Sequence, residues 1–238
     1  MTDLAIRVSI VIPVLNESET VTDAVGHALS SGADEVIAVD GGSTDGSWEA
    51  LKGTDCRALQ SSPGRGTQLN VGARAARGNV LLFLHADNRL GPGAVAQLRD
   101  CVSRRVAVAG AFQQCIDAPQ RVYRWIESAN ARRVRRRGMA YGDQGIFVRR
   151  DVFKRLGGFD DVPIMEDVLL MRKLRGEGRL ALLPGPIHVS ARRWQRYGVI
   201  RQTLRNRALL WGLRCGVSPQ KLARWYPAHS SENRRGDP

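Results

Sequence analysis

Acidic side chains follow three short apolar runs in the first hundred residues, at positions suited to binding a charged ligand. Glu17 comes shortly after the first run, Asp40 ends the second, and Asp87 follows the most apolar of the three. Carboxylate oxygens suit Mg²⁺ or Mn²⁺, and Mg²⁺ usually takes one or two carboxylates together with phosphate oxygens. The pattern favours a nucleotide diphosphate bridged by a divalent metal, with Asp87 as the first candidate ligand. A plain turn role is the alternative for Asp40 and Asp87.

Two other places in the chain put charged groups beside features that favour a functional role. Arg65 lies between Gly64 and Gly66, where a flexible backbone lets a guanidinium grip a pyrophosphate. A surface loop is the alternative there. Glu166 and Asp167 precede an apolar helical run. They form either an acidic first turn that the helix dipole stabilises or a general base, which typically contributes a factor of about 10² to 10⁴ in rate.

The elements that must position these groups alternate between short β-branched runs and helical patterns, which predicts a parallel α/β sheet. In such sheets ligands bind at the carboxyl ends of the strands, so Asn16, Asp40 and His85 with their neighbours are expected to converge on one crevice. We predict strands at Val8–Val14, Val36–Val39, Ala58–Gln60, Val80–Leu84, Val106–Ile116 and Gly145–Arg149. We predict helices at Ser18–Leu29, Gln68–Ala76, Pro92–Val102, Gln120–Arg137, Val152–Leu156 and Glu166–Leu174, with another through Trp48.

Several classes of protein are excluded by missing motifs. The P-loop pattern GxxxxGKS/T is absent, GxGxxG is incomplete, no serine lies in a GxSxG elbow, and the four cysteines lack metal-ligand spacing. No apolar run approaches the ~18 residues of a membrane span, and no secretory signal is recognised. We therefore expect a reduced, cytoplasmic protein that is not a P-loop ATPase, a Rossmann dehydrogenase or a zinc module.

The formal net charge of +13 is distributed unevenly along the chain. Residues 1–100 hold 8 basic and 12 acidic side chains, whereas residues 101–238 hold 28 and 11. Arg132–Arg137 is rich in arginine, and His188–Tyr226 has 9 basic residues and no acidic one. This excess of basic residues indicates an anionic partner. The candidates are an anionic acceptor, a lipid surface and another protein. Because Val199–Leu213 has the pattern of a basic amphipathic helix, contact with a membrane surface is left open.

Taken in order, these segments resemble the glycosyltransferases of family 2, and the resemblance runs from about Val8 to at least Trp194. Single motifs are weak, but their order and spacing are specific. Residues 12–17, IPVLNE, resemble the opening P-x-x-N-E segment of the family. Residues 39–47, VDGGSTDGS, resemble the family motif at the end of the second strand.

Later segments extend the same resemblance. Residues 157–160, GGFD, followed by Glu166 and Asp167, resemble the family motifs GGF-D/E and ED. Residues 190–194, SARRW, resemble Q-x-x-R-W with Ser190 in place of the glutamine, which fits transfer of a single sugar better than polymer synthesis. The segments FLHAD, GDQG and SARRW together resemble a short bacterial subgroup named for arsenosugar biosynthesis or for radical-SAM and selenium-associated gene clusters.

The resemblance implies roles for individual residues. Asp167 would be the catalytic base, with Glu166 beside it in the acceptor site. Asp87 would bind the metal, and His85, which replaces the first acid of the family's D-x-D motif, and His188 are further candidate ligands or packed residues. The residues implied to bind the nucleotide sugar are Pro13, Asn16, Glu17, Asp40, Arg65, Gly66, Asp87, Arg193 and Trp194.

The resemblance also implies an α/β GT-A fold, with a Rossmann-like half whose mixed, mainly parallel sheet is flanked by helices. We expect a single domain over residues 1–226, with the nucleotide-sugar-binding half at about 1–118, the acceptor half with basic C-terminal helices at 119–226, and a flexible tail at 227–238. The implied reaction is metal-assisted transfer of one sugar from a UDP-linked donor to a small or lipid acceptor, with inversion. A basic nucleic-acid-binding module and a catalytically inactive sugar-nucleotide-binding relative are the alternatives.

Overall fold

The computed structural model describes residues 5–225, apart from the side chain of Arg193. The tail expected at 227–238 lies outside these residues. The strands of the described part are β1 (Val8–Val14), β2 (Glu35–Asp40), β3 (Arg57–Gln60), β4 (Val80–Phe83), β5 (Asn88–Leu90), β6 (Ala109–Asp117), β7 (Ile146–Arg149) and β8 (Leu180–Ser190). They form one sheet in the order β3-β2-β1-β4-β7-β6-β8-β5.

Ten α-helices of the described residues surround this sheet. A short 3₁₀ turn, Gly142–Gln144, precedes β7. The helices are α1 (Val21–Ser30), α2 (Ser47–Lys52), α3 (Arg65–Ala75), α4 (Ala94–Ser103), α5 (Arg121–Arg137), α6 (Arg150–Arg155), α7 (Glu166–Leu174), α8 (Arg192–Tyr197), α9 (Val199–Arg214) and α10 (Pro219–Ala223).

The middle of the sheet is buried on both faces because its strands are continuously apolar. Side chains alternate between the two faces of a strand, and in β1 Ile10 and Ile12 pack into one core while Val11 packs into the other. The pairs β1–β2, β1–β4, β2–β3 and β6–β8 are parallel, and β4–β7, β6–β7 and β5–β8 are antiparallel. The predicted mixed, mainly parallel sheet flanked by helices is therefore confirmed.

Two strands were not predicted from the sequence. β5 has only three residues, and β8 contains Pro184, Gly185 and Pro186, which normally argue against a strand. β8 accommodates these residues because its register with β6 shifts between Phe112 and Gln114. The predicted helix at Gln68 begins earlier, at Arg65, so Arg65 and Gly66 belong to the first turn of α3 rather than to a loop.

The C-terminal helices pack against α7 through a separate apolar cluster. Val168 of α7 contacts the buried side chains Leu209 and Leu213 of α9 and Leu222 of α10. The opposite side of α9 is exposed: Ile200, Leu204 and Trp211 are 77%, 59% and 70% accessible. Among residues 5–225, no helix has the length and apolar character needed to cross a bilayer.

Candidate functional site

The loops that follow β1 and β2 are joined by hydrogen bonds. The amide oxygen of Asn16 accepts a bond from the Thr44 N–H at 2.9 Å, and its own N–H donates to Ser43 Oγ at 2.9 Å. The Glu17 N–H donates to Ser47 Oγ at 2.8 Å. Asn16 holds a left-handed backbone with φ of 54°. The ends of β1 and β2, two of the three strand ends that were predicted to lie together, are therefore fixed to each other as one edge.

Asp40 has a structural role in this edge. Its side chain is fully buried, and its carboxylate accepts hydrogen bonds from the N–H groups of Gly42 at 3.0 Å and Ser43 at 3.1 Å. The turn role that the sequence left open is thus present, and nucleoside binding by Asp40 stays a prediction. Pro13 lies one residue from the end of β1, opposite Val39 of β2.

Gln68, which was not predicted from the sequence, holds the ends of β1 and β2 together. This buried side chain donates two hydrogen bonds from Nε2, to the carbonyl oxygens of Val14 at 2.7 Å and Val39 at 2.9 Å. Gly41 leaves room for it, since a Cβ at Gly41 would lie 2.9 Å from the Gln68 amide. Nothing in the local sequence marks a helical glutamine for this role, because the contact depends on how α3 packs on the sheet.

Four carboxylates meet at the carboxyl edge of the parallel strands. Burial raises the pKa of Glu17, and the charge of Asp87 raises it further while Arg192 opposes the effect. Burial likewise raises the pKa of Asp143, with Arg133 opposing and the charges of Asp167 and Asp87 adding to it. Asp87 therefore lies close enough to act on both Glu17 and Asp143, and Asp167 lies close enough to act on Asp143. A shared ligand site at Asp87 stays a prediction. The two arginines that offset this charge were not among the predicted site residues.

Unpartnered buried oxygens lie beside Asp87. Asn88 Oδ1 and Asp143 Oδ1 are inaccessible and accept no hydrogen bond within the described residues. The two residues are linked, because Asn88 Nδ2 donates to the main-chain oxygen of Asp143 at 3.0 Å. Hard oxygen ligands of this kind fit Mg²⁺ or Mn²⁺. The GDQG segment was noted in the sequence, but a role for Asp143 was missed because its proximity to Asp87 depends on the antiparallel pairing of β4 with β7.

Asp167 opens α7 and is held by main-chain groups. Its Oδ2 accepts a hydrogen bond from the Gly142 N–H at 2.6 Å, and its Oδ1 accepts one from the Val168 N–H at 2.7 Å. The His85 ring packs on the same glycine, since a Cβ at Gly142 would lie 2.6 Å from His85 Nε2 and 3.5 Å from Asp167 Oδ2. The structure thus brings His85 to Asp167 as well as to the strand end that carries Asp87.

Glu166 is buried and paired with Arg65. The two side chains form an ion pair at 3.0 Å, with Glu166 2% and Arg65 41% exposed. Burial raises the pKa of Glu166, and the Arg65 charge opposes that rise. Gly66, next to Arg65, packs closely on the same loop, because a Cβ there would lie 2.7 Å from the main-chain oxygen of Asp160. In this structure Arg65 therefore binds an acid of the acceptor-side motif, and its contact with a diphosphate stays a prediction.

Breaking this pair should destabilise the protein in a pH-dependent way. We expect Arg65→Met to lower the free energy of unfolding at pH 7 by about 1–3 kcal/mol, because it leaves a buried carboxylate without its partner. The pKa of Glu166 is raised in the folded state, so the free energy of unfolding falls as the pH rises through that pKa. A protonated Glu166 needs no charged partner, and the loss of stability in Arg65→Met should therefore be smaller at pH 5 than at pH 7. Urea unfolding at the two pH values measures this. Arg155→Met, which breaks the exposed pair with Glu177, should change little, and an equal effect would contradict the expectation.

The close approach at Gly66 gives a second stability prediction. Gly66→Ala should destabilise the protein by about 1–3 kcal/mol, because its methyl group meets the Asp160 carbonyl. Gly26→Ala is the matched control, since a Cβ in that exposed position of α1 meets nothing within 4 Å. The control should gain up to about 1 kcal/mol from the higher helix propensity of alanine. Thermal unfolding of both variants measures the difference, and a stabilising Gly66→Ala would refute the contact.

His188 does not join the carboxylates by any contact in residues 5–225. Its Nδ1 lies 2.9 Å from Asp117 Oδ1, and Cys115 completes a group of three candidate metal ligands. Arg89 pairs with Asp117 at 2.7 Å, and Arg124 approaches Cys115 at 3.9 Å. Two guanidinium groups beside this triad disfavour a cation. His188 as a ligand next to Asp87 stays a prediction.

The last two predicted donor residues lie at the start of α8. The side chain of Arg193 lies outside the described part of the structure, so its predicted contact stays open. Trp194 packs edge-to-face on Tyr123 of α5 with ring centroids 6.0 Å apart. Ile116 and Ala191 complete this small apolar cluster. Trp194 thus helps to dock α8 on α5, and its contact with the nucleotide sugar stays a prediction.

The chain belongs to glycosyl transferase family 2, whose sequence profile matches residues 9–157, more than half of the protein. Its mixed sheet with flanking helices is the GT-A fold of that family. No curated protein sequence matches the chain.

Structures of S. aureus TarS are similar to it. The TarS 1–349 complex with UDP has a TM-score of 0.63 at 15% identity, covering 77% of this chain and 60% of that one. The complex with UDP-GlcNAc has a TM-score of 0.61 at 16% identity, covering 77% and 58%. The chain therefore spans about 60% of the length of these structures.

Proposed function

We propose that the protein transfers a single sugar from a nucleotide-sugar donor to an acceptor hydroxyl. The observation that carries the proposal is a set of interacting carboxylates at the carboxyl edge of the parallel strands in a family 2 fold: Asp87 acts on Glu17 and Asp143, and Asp167 acts on Asp143. A cluster of carboxylates with unpartnered oxygens suits a metal-bound diphosphate better than a nucleic-acid backbone. UDP is the proposed nucleotide, and the similarity to TarS in complex with UDP and UDP-GlcNAc supports it.

The donor is proposed to bind along the edge formed by β1, β2 and β4. Asn16 and Asp40 fix the loops there, and with Pro13 and Glu17 they are the proposed nucleoside contacts. Arg192, whose charge acts on Glu17, supplies a positive group on this side. The proposed contacts to the rest of the nucleotide sugar are Arg65, Gly66, Asp87, Arg193 and Trp194. This assignment keeps residues 1–118 as the donor half and 119–226 as the acceptor half of one domain.

Asp87 is the proposed metal ligand, with His85 and His188 as further candidates. The buried oxygens of Asn88 and Asp143 fit the oxygen preference of Mg²⁺ or Mn²⁺. A divalent cation bound there would offset negative charge on the departing diphosphate.

Asp167 is the proposed base. Each of its oxygens accepts one main-chain hydrogen bond, which fixes the carboxylate and leaves further lone pairs for an acceptor. The acceptor hydroxyl gives its proton to Asp167 as its oxygen bonds to the anomeric carbon. The bond from that carbon to the diphosphate breaks on the opposite face, and the nucleoside diphosphate leaves, so the configuration inverts. Glu166 lies beside Asp167 and is held by its ion pair with Arg65. It is proposed to line the acceptor site.

The acceptor is proposed to be a small molecule or a lipid, and the site of action cytoplasmic. The resemblance to the subgroup named for arsenosugar biosynthesis does not identify that acceptor. The exposed apolar side chains of α9 support contact with a membrane surface, which flotation with anionic liposomes tests. Protein that stays wholly in the soluble fraction would contradict it.

Calorimetry with UDP tests the proposal directly. UDP should bind in the presence of MnCl₂ and lose affinity in EDTA, and UDP-sugars should be hydrolysed slowly in the absence of an acceptor. Hydrolysis would contradict the alternative of an inactive relative. Failure to bind UDP, together with RNA binding that weakens steeply with salt, would replace the proposal with the nucleic-acid-binding alternative.

A further inference from the structure

A cleft of about 650 Å³ lies between α5, α7 and α9, and arginines dominate its lining. We call it the arginine cleft. No acidic side chain lines it. Its arginines are Arg133, Arg137, Arg172, Arg175 and Arg214. Helices thus concentrate positive charge from three separate parts of the chain in one concave surface.

Four of the five arginines have no acidic partner in the described residues, whereas Arg133 also acts on Asp143. Arg137, Arg172, Arg175 and Arg214 are exposed and form no ion pair with an Asp or Glu side chain of residues 5–225. Like charges that line a cleft raise the local concentration of oppositely charged ligands. The positive charge of these four arginines is therefore available to attract an anion.

One of the five arginines is fixed in place before any ligand binds. Arg133 donates to Asn130 Oδ1 at 2.7 Å, to Gln144 Oε1 at 2.6 Å and to the Met139 oxygen at 2.9 Å. Its guanidinium lies 3.7 Å from the centre of the Tyr141 ring. A preset cation reduces the ordering cost of binding an anion.

The arginine cleft adjoins the proposed base. Val168, which lines the cleft, follows Asp167 directly. Tyr141, which also lines it, precedes Gly142, and the Gly142 N–H donates to Asp167 at 2.6 Å. A molecule bound in the cleft is therefore close to Asp167 and is surrounded by residues of the second half of the chain.

We propose that the arginine cleft is the acceptor site and that the acceptor carries a phosphate group. The inference rests on the proposed glycosyltransferase function and names the chemical class of its acceptor. Guanidinium groups bind phosphate oxygens through paired hydrogen bonds. Several arginines around one cleft match the multiple oxygens of a phosphate group better than the two oxygens of a carboxylate. Leu210 and Met139 offer an apolar surface to the rest of the acceptor.

The phosphate is an anchor and not the nucleophile. A phosphate oxygen is already deprotonated at neutral pH and needs no base, whereas a hydroxyl must lose a proton as it attacks. In the proposed reaction a hydroxyl of the acceptor bonds to the anomeric carbon, its proton passes to Asp167, and the nucleoside diphosphate leaves. The acceptor phosphate is unchanged and stays bound to the arginines.

Calorimetry with glycerol 3-phosphate, with UDP and MnCl₂ kept saturating, tests the anchor directly. Arg172→Met and Arg214→Met should each weaken its binding at least tenfold, and glycerol without the phosphate should not bind. Arg132→Met is the matched control, because Arg132 is exposed on α5 but does not line the cleft. UDP affinity should stay unchanged in all three variants, which separates failure of this inference from failure of the donor site.

Two further arms identify the source of the phosphate. Vesicles of phosphatidylglycerol that bind with the same dependence on Arg172 and Arg214, when glycerol 3-phosphate does not bind, would assign the anchor to a lipid headgroup. Phosphatidylcholine vesicles are the control. Equal losses in Arg132→Met and the cleft variants, or RNA binding that needs all three arginines, would show a diffuse basic surface and overturn the inference. Absence of binding to both phosphate probes would overturn it as well.

Discussion

Asp167→Asn should lower the rate of sugar transfer by about 10²- to 10⁴-fold, the usual contribution of a general base. The substitution keeps the size of the side chain and an oxygen that can accept the Gly142 N–H, but it removes the group that takes a proton. UDP affinity should stay near that of the wild type, because Asp167 is not among the proposed donor contacts. Transfer is measured as release of UDP with a UDP-sugar and an acceptor, and calorimetry measures UDP binding.

Asp161→Asn is the matched control for this experiment. Asp161 is an exposed carboxylate six residues away, and its contact is a hydrogen bond from Thr67 Oγ1 at 3.2 Å. The control should retain the wild-type rate. Wild-type turnover by Asp167→Asn would remove Asp167 as the base and direct attention to Asp143, on which its charge acts.

Asp87→Ala should abolish the part of UDP affinity that depends on a divalent metal. Loss of a partner that only orients a metal ligand typically costs about 10- to 100-fold in affinity, so loss of the ligand itself should cost at least as much. In EDTA the variant and the wild type should bind UDP equally weakly. Titrations of UDP with and without MnCl₂ measure both quantities.

Asp100→Ala controls for removal of a negative charge elsewhere. Asp100 lies on α4, is 57% exposed and pairs with Arg104, the residue that follows this helix. Its loss should leave UDP binding unchanged with and without the metal. If Asp87→Ala binds UDP as tightly as the wild type in MnCl₂, the metal is bound elsewhere or is not used.

The sequence predicted well those parts of the fold that depend on local patterns. Continuous apolar runs located β1, β2 and β4, and an acidic start with helical periodicity located α7 with correct boundaries. β8 was missed because prolines and a glycine interrupt it, and only pairing with β6 makes it a strand. The polar groups at strand ends were predictable because parallel topology brings such ends together.

The remaining parts of the site depend on contacts between distant segments. Gln68 reaches the ends of β1 and β2 only after α3 has packed, and Asp143 meets Asp87 only after β7 pairs with β4. The partner of Arg65 is Glu166, which lies 101 residues further along the chain. No local pattern of residue types encodes these pairings, since each side chain would suit a solvent-exposed surface equally well.

The two hydrogen bonds from Gln68 have a consequence for the thermodynamics of donor recognition. They hold the ends of β1 and β2 at a fixed separation, and the loops beyond those ends are bonded to each other as well. The conformational entropy of this edge is therefore lost when the chain folds and not when a ligand arrives. A nucleotide that binds there meets a rigid template, so more of its contact energy is retained as affinity.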